Sequence, residues 1–124
     1  MNLVDSSGWL EYFADGPNAD FFAPAIEQPS ELIVPTISLY EVFKKVFQQR
    51  GDGPALQAIA IMQQGFVVSL DTSLALSAAK ASVELGLPMA DSIIFTTART
   101  HGATLWTQDS HFESVESVQY IKKG

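Results

Sequence analysis

The chain has no cysteine, which removes disulfides and thiolate metal centres from consideration. Any metal site must draw on carboxylates, carbonyls, hydroxyls or the two histidines. Basic residues are scarce as well: seven Lys and Arg stand against 14 Asp and Glu, a net charge of −7. Nucleic-acid binders usually carry the opposite balance, so the composition argues against broad, non-specific affinity for phosphate backbones. If four of the acids held a cation, ten would face the seven basic groups, and about −3 would remain. Part of the acidity would then be chemical rather than general. A long apolar run is missing too. The longest uncharged stretch, Gly53 to Leu70, is broken by Gln57, Gln63, Gln64 and Gly65, whereas a membrane-spanning helix needs ~20 mostly apolar residues. The opening Met1-Asn2-Leu3-Val4-Asp5 has no basic stretch followed by an apolar one, so no secretory signal is visible. These absences lead us to expect a soluble cytoplasmic protein.

Core-forming material is plentiful. Of the 124 residues, 47% are apolar and 10% aromatic. A chain of this length fits one domain, residues 1–124, and buries roughly two-thirds of its unfolded surface. Asn2 to Val4 reads as a short buried strand, followed by a helix from Gly8 to Phe13 with Ser6 or Ser7 as its cap. Asp15 to Asn18 is a turn cluster, and a helix is expected from Ala19 to Gln28, ended by Pro29. Leu32 to Val34 reads as a second strand closed by Pro35. From Thr36 to Arg50, Leu39, Phe43, Val46 and Phe47 recur at helical spacing. Gly51 to Pro54 should break this helix, which resumes from Ala55 to Gln64. Phe66 to Leu70 is a third strand, and Asp71 to Ser73 opens a helix reaching Leu85 with Gly86 as its stop. A further helix spans about Ala90 to His101, stopped by Gly102. Ala103 to Thr107 and Val118 to Ile121 complete the strands. Strands alternating with helices imply a mostly parallel sheet of four to five strands covered on both faces, a three-layer α/β/α fold.

In open sheets of this kind, ligands bind beyond the carboxyl ends of the strands. Asp5 immediately follows the first strand, and Asp109 lies two residues past Thr107. Asp91 opens a helix whose buried stripe is Ile94, Phe95 and Ala98, so its carboxylate lies on apolar surface where charge is unfavourable unless paired or coordinated. Each acid also has an ordinary explanation. Asp5, Asp91 and Asp109 each suit a helix or turn cap. Glu41, three and four residues before Lys44 and Lys45, suits a surface ion pair worth ~0.2–0.5 kcal/mol.

Taken together, four segments in order resemble the PIN domain: Asp5-Ser6-Ser7, Ser38-Leu39-Tyr40-Glu41, Leu87-Pro88-Met89-Ala90-Asp91 and Thr107-Gln108-Asp109-Ser110-His111-Phe112. More narrowly, they are similar to the toxin ribonucleases of VapBC-type toxin–antitoxin systems. The resemblance implies that Asp5, Glu41, Asp91 and Asp109 converge on Mg²⁺ or Mn²⁺, hard ions that favour carboxylate oxygen. It implies RNA phosphodiester hydrolysis yielding a 5′-phosphate and a 3′-hydroxyl. Asp5 and Asp91 would be direct ligands, and Glu41 and Asp109 would bind through water or hold the attacking water. Ser6 and Thr107 would orient Asp5 and Asp109. Many related domains carry another acid where this chain has His111, which puts a second ion in doubt. By itself, His111 reads as a surface turn residue and His101 as a stabiliser of a helix C-terminus. Lys44, Lys45, Arg50 and Arg99 are candidates for flanking RNA phosphates. Trp9, Tyr12, Phe13 and Phe43 read as core or oligomer contacts. An antitoxin and a second copy of the chain are the implied protein partners, for which the apolar residues of the first and third helices would serve.

Two other readings remain. A catalytically silent PIN-like module binding RNA or protein would keep the fold without cleavage. An aspartyl-nucleophile phosphohydrolase resembling haloacid dehalogenases would also place Asp5 after the first strand, but the second Asp expected two residues later is Ser7. A phospho-receiver domain would want an acidic pair there, and only Asp5 is present.

Overall fold

In the computed structural model, which describes residues 1–124, the five strands form one fully parallel sheet in the order β3-β2-β1-β4-β5. The strands are β1 (Asn2–Val4), β2 (Leu32–Pro35), β3 (Phe66–Val68), β4 (Thr104–Thr107) and β5 (Val118–Tyr120). Between them run α1 (Ser6–Phe13), α2 (Ala19–Ile26), α3 (Thr36–Arg50), α4 (Asp52–Met62), α5 (Thr72–Leu85) and α6 (Met89–Thr100). Short 3₁₀ turns occupy Pro29–Glu31 and Ser110–Phe112. The chain adds strands in one direction from β1 through β2 to β3, then crosses back to place β4 on the other side of β1. The order therefore reverses between β1 and β4, and the crevice such a reversal opens lies at their carboxyl ends. Pairing of Val4 with Trp106 brings those two ends level.

Strand side chains alternate between the two faces, and both faces are covered. Val4, Leu32 and Val34 enter a core with Trp9, Phe22, Val42, Val46, Ala55 and Met62, contributed by α1 to α4. Leu3, Ile33 and Leu105 enter the opposite core with Leu87, Ile94, Ala98 and Phe112. Helix α5 packs on α6, which completes the second layer. Tyr12, Phe13 and Phe43 pack against the first core. The apolar residues of α1 are thus largely committed to the core, and most of the exposed large apolar groups lie on α3, α4 and α5 instead, among them Phe47, Leu56 and Val83. No helix is long and apolar enough to cross a membrane.

Local chemistry explains most element boundaries, and tertiary pairing explains the rest. Helix α5 runs as its sequence predicts, with the Asp71 carboxylate accepting from the Leu74 amide at 2.8 Å and Gly86 left-handed at φ 67°. Helix α1 begins earlier than expected, at Ser6, because Asp5 rather than either serine is its cap. Helix α4 also begins early, at Asp52. Gly53 and Pro54 lie in its first turn, where proline's missing N–H has no intrahelical partner to lose. Strand β3 ends at Val68 rather than Leu70, since its partner β2 ends at the paired Pro35 and turns into α3. Helix α2 stops at Ile26, short of Gln28.

Gly8 marks the closest approach of α1 to the sheet. A Cβ there would meet Val4 Cγ1 at 2.6 Å and the Phe22 ring at 2.7 and 2.8 Å. Gly8→Ala is therefore expected to lower the unfolding free energy by about 1–3 kcal/mol through overpacking. Gly53→Ala, with nothing within 4 Å of the new Cβ, should instead leave stability unchanged or raise it by up to ~1 kcal/mol. Urea denaturation of the two variants measures the difference.

Candidate active site

Asp5 leaves the end of β1 with an extended backbone and is almost fully buried, at 2% exposure. Its Oδ1 accepts from the Gly8 amide at 2.9 Å and the Ser7 hydroxyl at 2.8 Å. Its Oδ2 accepts from the Thr107 hydroxyl at the end of β4. These three donors favour the carboxylate, but burial outweighs them and lifts its pKa to about 6, with the negative charge of Asp109 adding to the rise. Asp109 stands just beyond β4. Its amide donates to Thr107 Oγ1 at 2.9 Å, and its Oδ1 accepts from the His111 amide at 2.9 Å to cap the 3₁₀ turn. Thr107, wholly buried, thus ties the two strand-end acids together.

Asp91 reaches the same place from the first turn of α6, whose cap position is Pro88, and it makes no capping bond. Its pKa rises to about 7 through burial first, then through repulsion by Asp109, while His111 opposes the shift. The His111 ring lies between the two acids, with Nδ1 2.9 Å from Asp91 Oδ2 and 2.8 Å from Asp109 Oδ1. Glu41 comes from α3, and its Oε1 accepts from Ser6 Oγ at 2.6 Å. It forms no ion pair with Lys44 or Lys45. Together Asp5, Glu41, Asp91 and Asp109 line one cleft of about 420 Å³, with Ser6, Lys44 and Lys45 also on its wall. An adjoining cleft of about 490 Å³ is lined by Lys45, Arg50, Gln108 and Lys123 among others.

Four sequence elements therefore bring the four anticipated acids to one cleft, and three of the four flanking cations border it or its neighbour. Arg99 is the exception. It sits in the last turn of α6, with its guanidinium 5.1 Å from the centre of the Phe95 ring. Eight residues of helix, roughly 12 Å, separate it from Asp91, and it lines neither cleft. The serine assignments also change. Ser6 holds Glu41, Ser7 holds Asp5, and Thr107 serves Asp5 through its hydroxyl proton while accepting from Asp109. With the Ser7 hydroxyl donated to Asp5, nothing occupies the second-acid position that an aspartyl-nucleophile phosphohydrolase would need. His101 does close a helix end, with Nδ1 3.0 Å from the Thr97 carbonyl. His111 joins the acids despite 54% exposure of its side chain. The clue in the sequence is the Asp-x-His spacing over one tight turn.

The donor set suits a divalent cation. Ligand atoms of Asp91, Asp109 and His111 lie within 4.8 Å of one another. Asp5 and Asp91 resist ionisation without a counter-charge, and oxygen-rich surroundings are what hard ions take. Asp5 and Asp91, which share the cleft with Glu41 and Asp109, could hold an ion, and His111 Nδ1 and Asp109 Oδ1 lie close enough to Asp91 to join it.

A family model described as the PIN domain matches residues 3–118. No curated protein matches the chain in sequence. Several solved structures share the fold. The toxin–antitoxin complex from Klebsiella pneumoniae superposes with a TM-score of 0.80 at 18% identity, over 95% of each chain. VapC20 of Mycobacterium tuberculosis, a toxin that cleaves the sarcin-ricin loop, gives 0.80 at 20% identity, over 99% of this chain and 100% of that one. DNA-bound VapBC from Salmonella typhimurium gives 0.73 at 16% identity, over 98% of both. With the family model spanning nearly the whole sequence and the parallel sheet carrying its acids at the β1/β4 reversal, the chain belongs to the PIN-domain family.

Proposed function

We propose that this chain, acting as a single PIN domain over residues 1–124, is a metal-dependent endoribonuclease and the toxin of a toxin–antitoxin pair, working in the cytoplasm. The observation that carries the reading is the convergence of Asp5, Glu41, Asp91 and Asp109 from four separate elements onto one cleft. Surface acids held only by local capping would not converge in this way. When bound, Mg²⁺ or Mn²⁺ would supply charge neutralisation at the scissile phosphate and acidify a water.

The chain's own residues divide the remaining tasks. Asp5 and Asp91 would hold the ion, with Thr107, Ser7 and the Gly8 amide fixing the Asp5 carboxylate. Glu41, steadied by Ser6, and Asp109, steadied by the His111 amide, orient the attacking water and receive its proton. The water oxygen bonds to phosphorus and the O3′ bond breaks. The departing O3′ takes a proton from solvent water, which gives a 5′-phosphate and a 3′-hydroxyl. Lys44 and Lys45, on the wall of the same cleft, and Arg50 beside it hold the flanking phosphates.

The solved relatives include toxin–antitoxin assemblies, which supports an antitoxin partner here. Exposed Tyr40 and Phe47 on α3, beside Phe43 and Ile59, offer it apolar surface next to the cleft. Exposed Leu76 and Val83 on α5 suit a second copy of the chain in a homodimer. A silent binding module is the second reading, favoured by the net charge of −7.

Cleavage of a mixed RNA pool by antitoxin-free protein separates the two. Cutting is expected with Mg²⁺ or Mn²⁺ and not with EDTA. Asp91→Asn should lower the rate by more than about a hundredfold, equivalent to several kcal/mol of transition-state stabilisation, while circular dichroism stays native. Folded protein that leaves every RNA intact would favour the binding module.

Stability should carry the same signature. Asp5 and Asp91 titrate near 6 and 7 in the metal-free fold, against 3.8 as the ordinary value. Between those values the folded state binds more protons than the unfolded one, so stability falls as pH rises. Their contribution is fully present below about pH 4 and is lost as pH rises through about 6 and 7. Thermal melts of metal-free protein should therefore decline from about pH 5 to about pH 8, and added Mn²⁺ should raise the midpoint more at the higher pH. A metal effect independent of pH would contradict the assignment of these acids to the ion.

A further inference from the structure

The acids of the cleft are accompanied by one nitrogen donor, and its placement is built rather than incidental. The His111 amide is held by Asp109 at 2.9 Å, within the 3₁₀ turn Ser110–Phe112. The next residue, Phe112, is wholly buried and stacks against Phe95 of α6, the helix that carries Asp91. The turn is thus pinned to the same helix whose carboxylate the imidazole faces. His111 Nδ1 lies 2.9 Å from Asp91 Oδ2 and 2.8 Å from Asp109 Oδ1. An octahedral ion with bonds of about 2.1 Å sets neighbouring ligand atoms roughly 3.0 Å apart. The nitrogen is therefore as far from each oxygen as two adjacent corners of such a site, and ligand atoms of all three residues lie within 4.8 Å of one another. A neutral ring with its proton on Nε2 presents Nδ1 as a lone-pair donor.

We propose that His111 is a direct metal ligand through Nδ1, and that this nitrogen tunes the site away from Mg²⁺ and toward Mn²⁺ and the later first-row divalent ions. The inference rests on the metal-dependent reading of the same cleft. Mg²⁺ keeps oxygen ligands and its own waters, and gains little from an imidazole. Mn²⁺ begins the first-row series, in which affinity for mixed nitrogen and oxygen sites rises toward Cu²⁺. Replacing His111 should consequently change which ion binds, whereas a residue that merely shaped the turn would weaken all ions alike.

The test uses antitoxin-free protein loaded with Mn²⁺. Electron spin-echo envelope modulation of the bound ion should report a directly coordinated ¹⁴N. The chain has only two histidines, so the source can be assigned. The signal should persist in His101→Asn and vanish in His111→Asn. Calorimetry should give a Mn²⁺-over-Mg²⁺ affinity ratio that falls at least about tenfold in His111→Asn and in His111→Asp, on the scale of losing a specific contribution to a metal site. Both variants should melt within a few degrees of the parent in the absence of metal, because the ring is half exposed. Bound Mn²⁺ without nitrogen coupling, coupling that survives His111→Asn, or an unchanged ion ratio would each overturn the proposal. Asp91→Asn separates this failure from a deeper one. If that variant loses Mn²⁺ while the parent shows no nitrogen, the cleft is a metal site and only the role of His111 falls. If Asp91→Asn binds Mn²⁺ as the parent does, or the parent binds none, the metal reading itself fails and this inference with it.

Discussion

The buried carboxylate of Asp5 is the constraint around which this structure is organised. A carboxyl group at 2% exposure is unfavourable unless its lone pairs are occupied, and here the donors come from separate parts of the chain. Gly8 and Ser7 belong to the helix that Asp5 starts, and Thr107 belongs to a strand that joins the sheet 102 residues later. The bond to Thr107 forms only if β1 and β4 pair in the observed register, with Val4 beside Trp106. That register also sets Asp109 beside Asp5, since Thr107 accepts from the Asp109 amide. One buried hydroxyl therefore couples sheet register to site assembly. A one-residue slip would turn Thr107 to the opposite face of the sheet and leave Asp5 Oδ2 without that donor.

Burial of like charges is the feature that the proposed chemistry would use. Donors around Asp5 favour its ionised form, yet desolvation raises its pKa to about 6, and Asp91 rises further to about 7. A fold selected only for stability would gain by replacing such groups with neutral ones of the same shape. Retaining them makes sense where a cation supplies the missing charge, because stability given up in the empty site returns as binding free energy. In the metal-free chain the imidazole of His111 lies between Asp91 and Asp109, where its positive form lowers the pKa of Asp91.

Features governed by nearby residues were legible in the sequence. Helices α3 and α5 have the bounds that Pro35, Gly51, Asp71 and Gly86 imply, because caps and stops are local chemistry. The strand-end positions of Asp5 and Asp109 were legible too, since the sheet rule needs only the order of elements. What depended on distant partners was not. β3 ends where β2 runs out, which its own apolar run through Leu70 does not reveal. Ser6 was expected beside Asp5, but its side chain crosses to Glu41 on α3, a pairing visible only once the helices pack. His111 looked like an ordinary turn residue because one of its carboxylate partners sits in another helix. Arg99 shares a helix with Asp91, but eight residues of helical rise set it outside the acid-lined cleft, over Phe95.

On the proposed reading, an acidic chain acting on RNA needs local charge, rather than net charge, to govern the encounter. Of the seven basic residues, Lys44, Lys45, Arg50 and Lys123 border the acid-lined cleft or the one adjoining it. Physiological salt screens charges beyond about 8 Å, so a strand entering these clefts responds to that rim and to the site's ion more than to distant acids. Elsewhere the negative surface repels it. The same arrangement limits how much RNA can be gripped, because each neutralised phosphate adds roughly 0.7–0.9 to the salt dependence of binding, and only these few cations are available. Recognition must then come largely from the shape of the target and from contacts at the scissile position. A protein of this charge would discriminate strongly among RNAs, since most strands that approach it gain too little from its few cations to stay.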